Sequence, residues 1–267
     1  MNQHWSQLHA SLERLQADGR TINLFFRDDD VDEDEESLRR LLRFFIERET
    51  PVNLAIIPGL LTDEAVRLLA DNRIGNPGLL CLNQHGWRHI NHESVGQSVG
   101  QNVRRKCEFG ASRNFAEQFE DIVRGRARLN EAFGSDWFPA FIPPWNRCAD
   151  VTYRVLDQLG FQALSAMRGG VAVTGYGFRE ISITLDLYRW KGGARLKPAE
   201  EIVDDLMRQS QTMGQTIGIM LHHKVMDESA FSFLGSLLDA LAPHSIARFH
   251  TFQSLLKYDG TEDAKSA

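Results

Sequence analysis

A single-domain α/β barrel is the fold class predicted by this sequence of 267 residues, on three observations. Short apolar runs alternate with segments whose apolar side chains recur every three or four residues, which is the signature of parallel β-α units. The unusual polar clusters fall directly after the apolar runs, where the loops of a barrel converge on one mouth. No internal repeat, linker or low-complexity tract breaks the chain before a polar tail after Tyr258.

In chain order, Trp5, Leu8, Leu12 and Leu15 predict an amphipathic helix within 1–20 that packs outside the main body. Ile22 to Phe26 reads as a buried strand. Ser37 to Glu49 follows as a helix with Leu38, Leu41, Leu42, Phe45 and Ile46 on one face, and Val52 to Ile57 as the second strand. Thr62-Asp63-Glu64 opens the next helix with a capping hydroxyl and early acids. Leu79 to Leu82 is the third strand, and the polar, Gly- and Arg-containing stretch 94–113 reads as a long surface loop.

Phe115 to Phe133 is a helix closed by Gly134, and Phe138 to Ile142 a strand stopped by Pro143-Pro144. Val151 to Leu159 is helical and ends at Gly160. Phe161 to Ser165, Ile181 to Leu185 and Ile217 to Leu221 are further short strands, and Pro198 to Met213 and Glu228 to Leu241 are helices. The strands number about seven, enough to close a barrel. Residues 21–258 then form the barrel, and 259–267 the tail.

Composition excludes several classes. Hydrophobic residues make up 42% and charged residues 25%, ordinary values for a globular protein. A net charge of -6 gives no electrostatic footprint for nucleic acid. No apolar run is long enough for a membrane span, and no basic amphipathic stretch suggests a membrane surface. The charged residues among the first 25 argue against a secretory leader. Cys81, Cys107 and Cys148 are odd in number and widely spaced, which argues for a reducing compartment. A cytoplasmic location is therefore expected, and the oligomeric state is left open.

The chemistry concentrates in a few clusters. His85 and His89 stand four residues apart after the third strand, and Asp28-Asp29-Asp30 ends the first. Two imidazoles and a carboxylate are a minimal ligand set for a catalytic divalent metal, with zinc the expected ion. Pro143-Pro144-Trp145-Asn146, Asp186 and His222-His223 follow later strands. His92 offers a further imidazole, but the four-residue spacing already fits. Cys81 reads as a small buried hydrophobe. The acids from Asp32 to Glu36 suit the start of a helix.

In order and spacing these clusters resemble the motifs of the polysaccharide deacetylase, or NodB-homology, family. Phe26-Arg27-Asp28-Asp29-Asp30 corresponds to its T-F-D-D motif, and His85 and His89 to H-[S/T]-x-x-H with Gly86 in place of the hydroxyl residue. Ile142-Pro143-Pro144-Trp145 corresponds to R-x-P-P-[Y/W] without the arginine, Asp186 to Trp190 to D-x-x-D-W, and Met220 to His223 to L-x-H.

The resemblance implies a distorted (β/α)7 TIM-like barrel and metal-dependent removal of an N-acetyl group from a small-molecule or oligosaccharide substrate. In the register Arg27-x-Asp29-Asp30, Asp30 binds the metal with His85 and His89, and Asp29 is the general base. Asp28 and Asp29 are the alternative pair. His222 is the candidate acid with His223 second, and Asp186 orients a neighbour. The amide bond needs a Lewis acid to polarise it, a base for the water proton and an acid for the leaving amine. A backbone N–H of the Pro144-Trp145 loop would hold the oxyanion. Trp87, Pro144, Trp145 and Trp190 are the candidate substrate-binding residues, aromatic faces being suited to sugar rings. Two rivals are a glycoside hydrolase using Asp29 and Asp186 as a carboxylate pair, and a non-catalytic carbohydrate-binding relative.

Overall fold

The structure is a computed structural model that describes residues 3–33, 35–93, 105–167, 173–212 and 216–258. Residues 94–104 of the expected loop, Met213 of the expected helix and the tail 259–267 lie outside the described residues.

In chain order the elements are α1 (Gln3–Ala17), β1 (Ile22–Val31), α2 (Glu36–Glu47), β2 (Val52–Ile56), α3 (Asp63–Gly75), β3 (Leu80–His85), α4 (Phe115–Phe133), β4 (Trp137–Ile142), α5 (Asp150–Gln158) and β5 (Ala163–Leu164). They continue with β6 (Arg179–Glu180), β7 (Leu185–Asp186), β8 (Tyr188–Arg189), β9 (Arg195–Leu196), α6 (Ala199–Ser210), β10 (Thr216–Leu221), α7 (Glu228–Leu241), β11 (Ala247–Phe249) and α8 (Phe252–Lys257).

The main sheet is parallel with strand order β6-β5-β4-β3-β2-β1-β10-β7. β11 pairs with Ile22 to Leu24 of β1, below the stretch where β2 takes over at Phe26. The two ends of the order belong to one piece of chain. The amides of Arg179, Ile181 and Ile183 donate to carbonyls of Gln162, Leu164 and Ala166 along β5. Those of Thr184 and Leu187 donate to Gly218 and Met220 along β10. A single irregular segment thus changes partner midway and closes the curl, giving a distorted α/β barrel in one domain. The sequence expectation of one strand over Ile181 to Leu185 falls on this segment, and the change of partner is why regular pairing survives only as β6 and β7.

Two apolar layers follow from strand alternation. Phe25, Ala55, Cys81, Phe138, Ala140, Ala163 and Met220 fill the barrel interior, with Phe252 and Leu255 of α8 closing its lower end. Leu24, Phe26, Leu54 and Leu82 face outward under the helices, where α2 contributes Leu38, Leu41, Leu42 and Phe45. α1 buries Leu8, Leu12 and Leu15 against α6 and α7.

β1 extends to Val31, well past the Phe26 end expected from its apolar run. The added residues include Arg27, Asp28 and Asp29, all buried, so the strand tip is a polar structure whose groups find partners at the barrel mouth.

Candidate metal centre and its surroundings

Along β1, Phe25 points into the barrel and Leu24 and Phe26 point out, so Arg27 and Asp29 share the inner side while Asp28 faces the helical layer. The pairing with β2 slips between Asp28 and Val31. Asp30 sits in that irregularity with φ 71°, a left-handed conformation uncommon outside glycine. The irregularity breaks the alternation and turns the Asp30 carboxylate toward the tip of β3.

His85 ends β3, and its Nδ1 lies 3.0 Å from the Ile142 carbonyl of β4. A carbonyl only accepts, so Nδ1 carries the proton and Nε2 is left as a lone-pair donor. His89 comes back to the same point through a tight turn with Gly86 at φ 57° and His89 at φ 55°. Buried Glu108 clamps that turn by accepting the amides of Trp87 at 3.2 Å and Arg88 at 2.8 Å. Gly86 is required there. A Cβ would lie 2.2 Å from Glu108 Oε2 and 2.6 Å from Pro144 Cγ, which leaves no room for the hydroxyl residue that the resemblance would place at this position.

The result is a convergence of three ligand atoms. Asp30 Oδ1 lies 3.2 Å from His85 Nε2 and 3.3 Å from His89 Nε2, and all three lie within 4.8 Å of one another. Asp30 Oδ1 is buried without a hydrogen-bond partner despite both imidazoles. Burial works against a charged His85, yet the Asp30 and Asp29 carboxylates raise its pKa, and one carboxylate oxygen with two imidazole nitrogens is a donor set that fits a shared cation. Burial opposes the charge on Asp30, yet His85 and the neighbouring His89 and His222 hold its carboxyl well below the usual range. Burial and His85 push His89 down to about 4, leaving it neutral and able to ligate near pH 7. His92 is exposed and stands outside this group.

Beside this centre, Arg27 is fully buried and grips Asp29 with both prongs, Nε to Oδ1 and Nη2 to Oδ2 at 2.7 Å each. Its Nη1 also donates to the Ser165 carbonyl and Oγ at 3.0 Å, and its Nη2 to Asn146 Oδ1 at 2.6 Å. The third motif has no arginine, but β1 itself supplies a guanidinium to the candidate base. Asp28 is the outward carboxylate. It accepts the His223 amide at 2.8 Å and faces His223 Nδ1 at 2.6 Å, with both side chains sealed from solvent.

His222 is therefore the histidine at the mouth. Trp190 packs edge-on against it at 4.5 Å between ring centres. Asp186 holds Trp190 by accepting Nε1 at 2.7 Å, and also accepts the Tyr188 amide at 2.8 Å. Asp186 thus reaches His222 through Trp190. Asp29 is held by Arg27 and Asp186 by Tyr188 and Trp190, so the two members of the alternative carboxylate pair belong to separate hydrogen-bonded groups.

The four candidate substrate residues separate. Trp145, at φ 55° in a 3-10 turn, lays its ring 4.3 Å from that of His89. Trp190 is 45% exposed. Pro144 is buried against Gly86, and Trp87 packs over Gly59 and the outer core, so these two shape the wall from behind. Six large apolar side chains are exposed among the described residues, and five of them follow strand carboxyl ends, Leu60, Ile90, Met167 and Trp190 in connecting segments and Val225 in a 3-10 turn. That placement gives the mouth an apolar rim.

Sequence reasoning missed Glu108, the reach of Arg27, and the Asp28–His223 pair. A charged residue between an apolar run and an acid triplet was a usable signal for Arg27. Glu108 stood in a polar stretch with only Cys107 and Phe109 beside it to hint at burial.

No family model and no curated protein sequence matches the chain, but solved structures do. A structure described as a polysaccharide deacetylase from Mycobacterium smegmatis is similar with a TM-score of 0.64 at 14% identity, covering 91% of this chain and 92% of that one. A family 4 acetyl xylan esterase from Clostridium thermocellum, in complex with a cobalt ion, has a TM-score of 0.58 at 14% identity, covering 90% and 91%. A family 4 carbohydrate esterase pseudoenzyme from Bacillus anthracis has a TM-score of 0.55 at 14% identity, covering 89% and 65%. The fold is the one these carbohydrate esterases share.

Proposed function

We propose that the protein is a divalent-metal-dependent hydrolase, with zinc the expected ion, that removes an acetyl group from the nitrogen of an N-acetylated sugar. The observation that carries this reading is the meeting of Asp30, His85 and His89 at one point, with Asp29 and His222 beside them. The likeness in fold to carbohydrate esterases, one of them solved with cobalt, supports it.

In this reading Asp30 and the Nε2 atoms of His85 and His89 hold the ion, which supplies Lewis acidity that polarises the amide and lowers the pKa of water. Asp29, fixed by Arg27, accepts the proton of the attacking water. His222 delivers a proton to the departing amine, with Trp190 excluding water from its ring face and Asp186 setting the angle of Trp190. The Trp145 amide lies in the first turn of a 3-10 helix, where N–H groups have no intrahelical partner, and is the candidate donor to the developing oxyanion. The Trp145 and Trp190 faces and the apolar rim receive the sugar ring. A cytoplasmic location and a soluble acetylated precursor belong to the same reading.

An acetate-release screen over N-acetylated sugars, with and without added zinc, tests it. Release that stops on chelation and returns with metal is the expected result. Metal bound near one equivalent without turnover on any sugar would instead favour a non-catalytic relative, an outcome given weight by the pseudoenzyme of similar fold.

A further inference from the structure

The segments 105–112 and 147–149 bound a cleft of about 500 Å³ lined by Arg105, Cys107, Ser112, Arg147 and Glu93 among others. Each wall continues a piece of the centre. Arg147 stands two residues after Trp145 and directly after Asn146, the partner of Arg27. Arg105 and Lys106 precede Glu108, which clamps the His85–His89 turn, and Lys106 Nζ lies 5.9 Å from the Trp145 ring centre. The Trp145 ring lies 4.3 Å from that of the ligand His89, so Lys106, between that ring and the Arg147 side chain, places cationic groups next to the centre.

The charge in this cleft is unbalanced. The Arg147 guanidinium donates to the Lys106 carbonyl at 3.3 Å. Among the described residues, no carboxylate forms an ion pair with Arg105, Lys106 or Arg147. The one carboxylate in the lining, Glu93, turns Oε1 to the Ser112 amide at 2.9 Å. Burial and the nearby Arg105 both depress the Arg147 guanidinium, as expected of like charges held together without a counter-ion. In a chain of net charge -6 this local excess of cations stands apart. Guanidinium forks match phosphate and carboxylate geometry, and Lys106 adds a further cation at the same rim.

We propose that Arg147 and Arg105, with Lys106, form an anion subsite, so that the acetylated sugar this protein takes carries a phosphate or a carboxylate. This inference rests on the hydrolase reading for the identity of the ligand, while anion binding itself does not need turnover.

Calorimetric titration of the metal-loaded protein with N-acetylglucosamine 6-phosphate, N-acetylmuramic acid and neutral N-acetylglucosamine tests it, with inorganic phosphate as competitor. The expected result is at least about tenfold tighter binding of one acidic sugar than of the neutral one, a preference that shrinks at high salt. The phosphate and carboxylate arms decide which anion is meant. Arg147→Ala should remove most of the preference and leave neutral-sugar binding unchanged, and Arg147→Lys should keep part of it. Arg105→Ala, on an exposed side chain, repeats the test should Arg147→Ala misfold. Equal affinities, no binding of either acidic sugar, or a uniform loss for all three sugars in the variants would overturn the proposal. Preference without acetate release would fault the hydrolase reading alone, whereas acetate release with equal affinities would fault the subsite alone.

Discussion

Replacing Arg27 with methionine removes the guanidinium that grips Asp29. Asp29 is 2% exposed and Arg27 fully buried, so solvent cannot take over the lost contacts. The change deletes two 2.7 Å bonds to the carboxylate and strips donors from Ser165 and Asn146. Breaking a buried ion pair from one side costs about 3–5 kcal/mol, because the surviving charge is left without compensation. At roughly 2–4 °C per kcal/mol for a chain of this size, the melting temperature should fall by about 6–20 °C. Urea unfolding of the metal-stripped protein, with calorimetry alongside, measures this without interference from ion binding. Arg27→Met combined with Asp29→Asn removes both charges, so its cost should fall short of the sum of the single changes by about 0.5–3 kcal/mol. An Arg27→Met protein within about 1 kcal/mol of the parent, or strictly additive singles, would refute the claim that this pair is a coupled structural unit.

Further outcomes are expected. His85→Ala and His89→Ala should each lose bound metal by elemental analysis, whereas Asp29→Asn should keep it and lose acetate release by about 10²–10⁴-fold. Gly86→Ala meets Glu108 and Pro144 and forces alanine to φ 57°, so urea unfolding should show a loss of about 1–3 kcal/mol, with weaker metal retention. Burial pushes the Cys107 thiol up to about 11 and Cys148 up to about 12, and raises Cys81 as well. At pH 8 only on the order of one Cys107 in a thousand is thiolate. Iodoacetamide labelling should therefore be slow in the native protein, should rise with pH, and should become fast after denaturation; rapid native labelling at pH 8 would contradict the burial.

The fold was legible because its information is periodic. The apolar runs that became β1, β2, β3, β4 and β10 and the amphipathic faces of α2 and α4 each follow from local spacing. Within the segment 179–187, only a strand over Ile181 to Leu185 was legible, since the change of partner depends on where β5 and β10 end up. At the site, residue type could be read and direction could not. Three consecutive aspartates look alike in sequence. In the structure one faces His223, one faces Arg27 and one faces two histidines, because alternation separates the first two and the irregularity at Asp30 redirects the third. His222 ranked ahead of His223 in the sequence, but residue type alone could not separate them. The partner that separates them, Asp28, lies 195 residues away in sequence.

Backbone strain separates a built site from a capping cluster. Five described residues other than glycine adopt positive φ, and four of them, Asp30, His89, Trp145 and Asn146, stand at the barrel mouth. Such conformations cost of order 1–3 kcal/mol each and persist only where the surroundings over-determine them. The constraints here are specific. Glu108 pins the turn that carries His89, and the Arg27 fork fixes Asn146. The Trp145 ring lies against His89. An acidic run that merely capped α2 would need no left-handed aspartate, and surface histidines would need no buried carboxylate to shape their turn. The cost is concentrated where Asp30 Oδ1 and two imidazole nitrogens meet. A divalent cation at that point would draw the three donors together, and its binding would offset the cost of holding the backbone there.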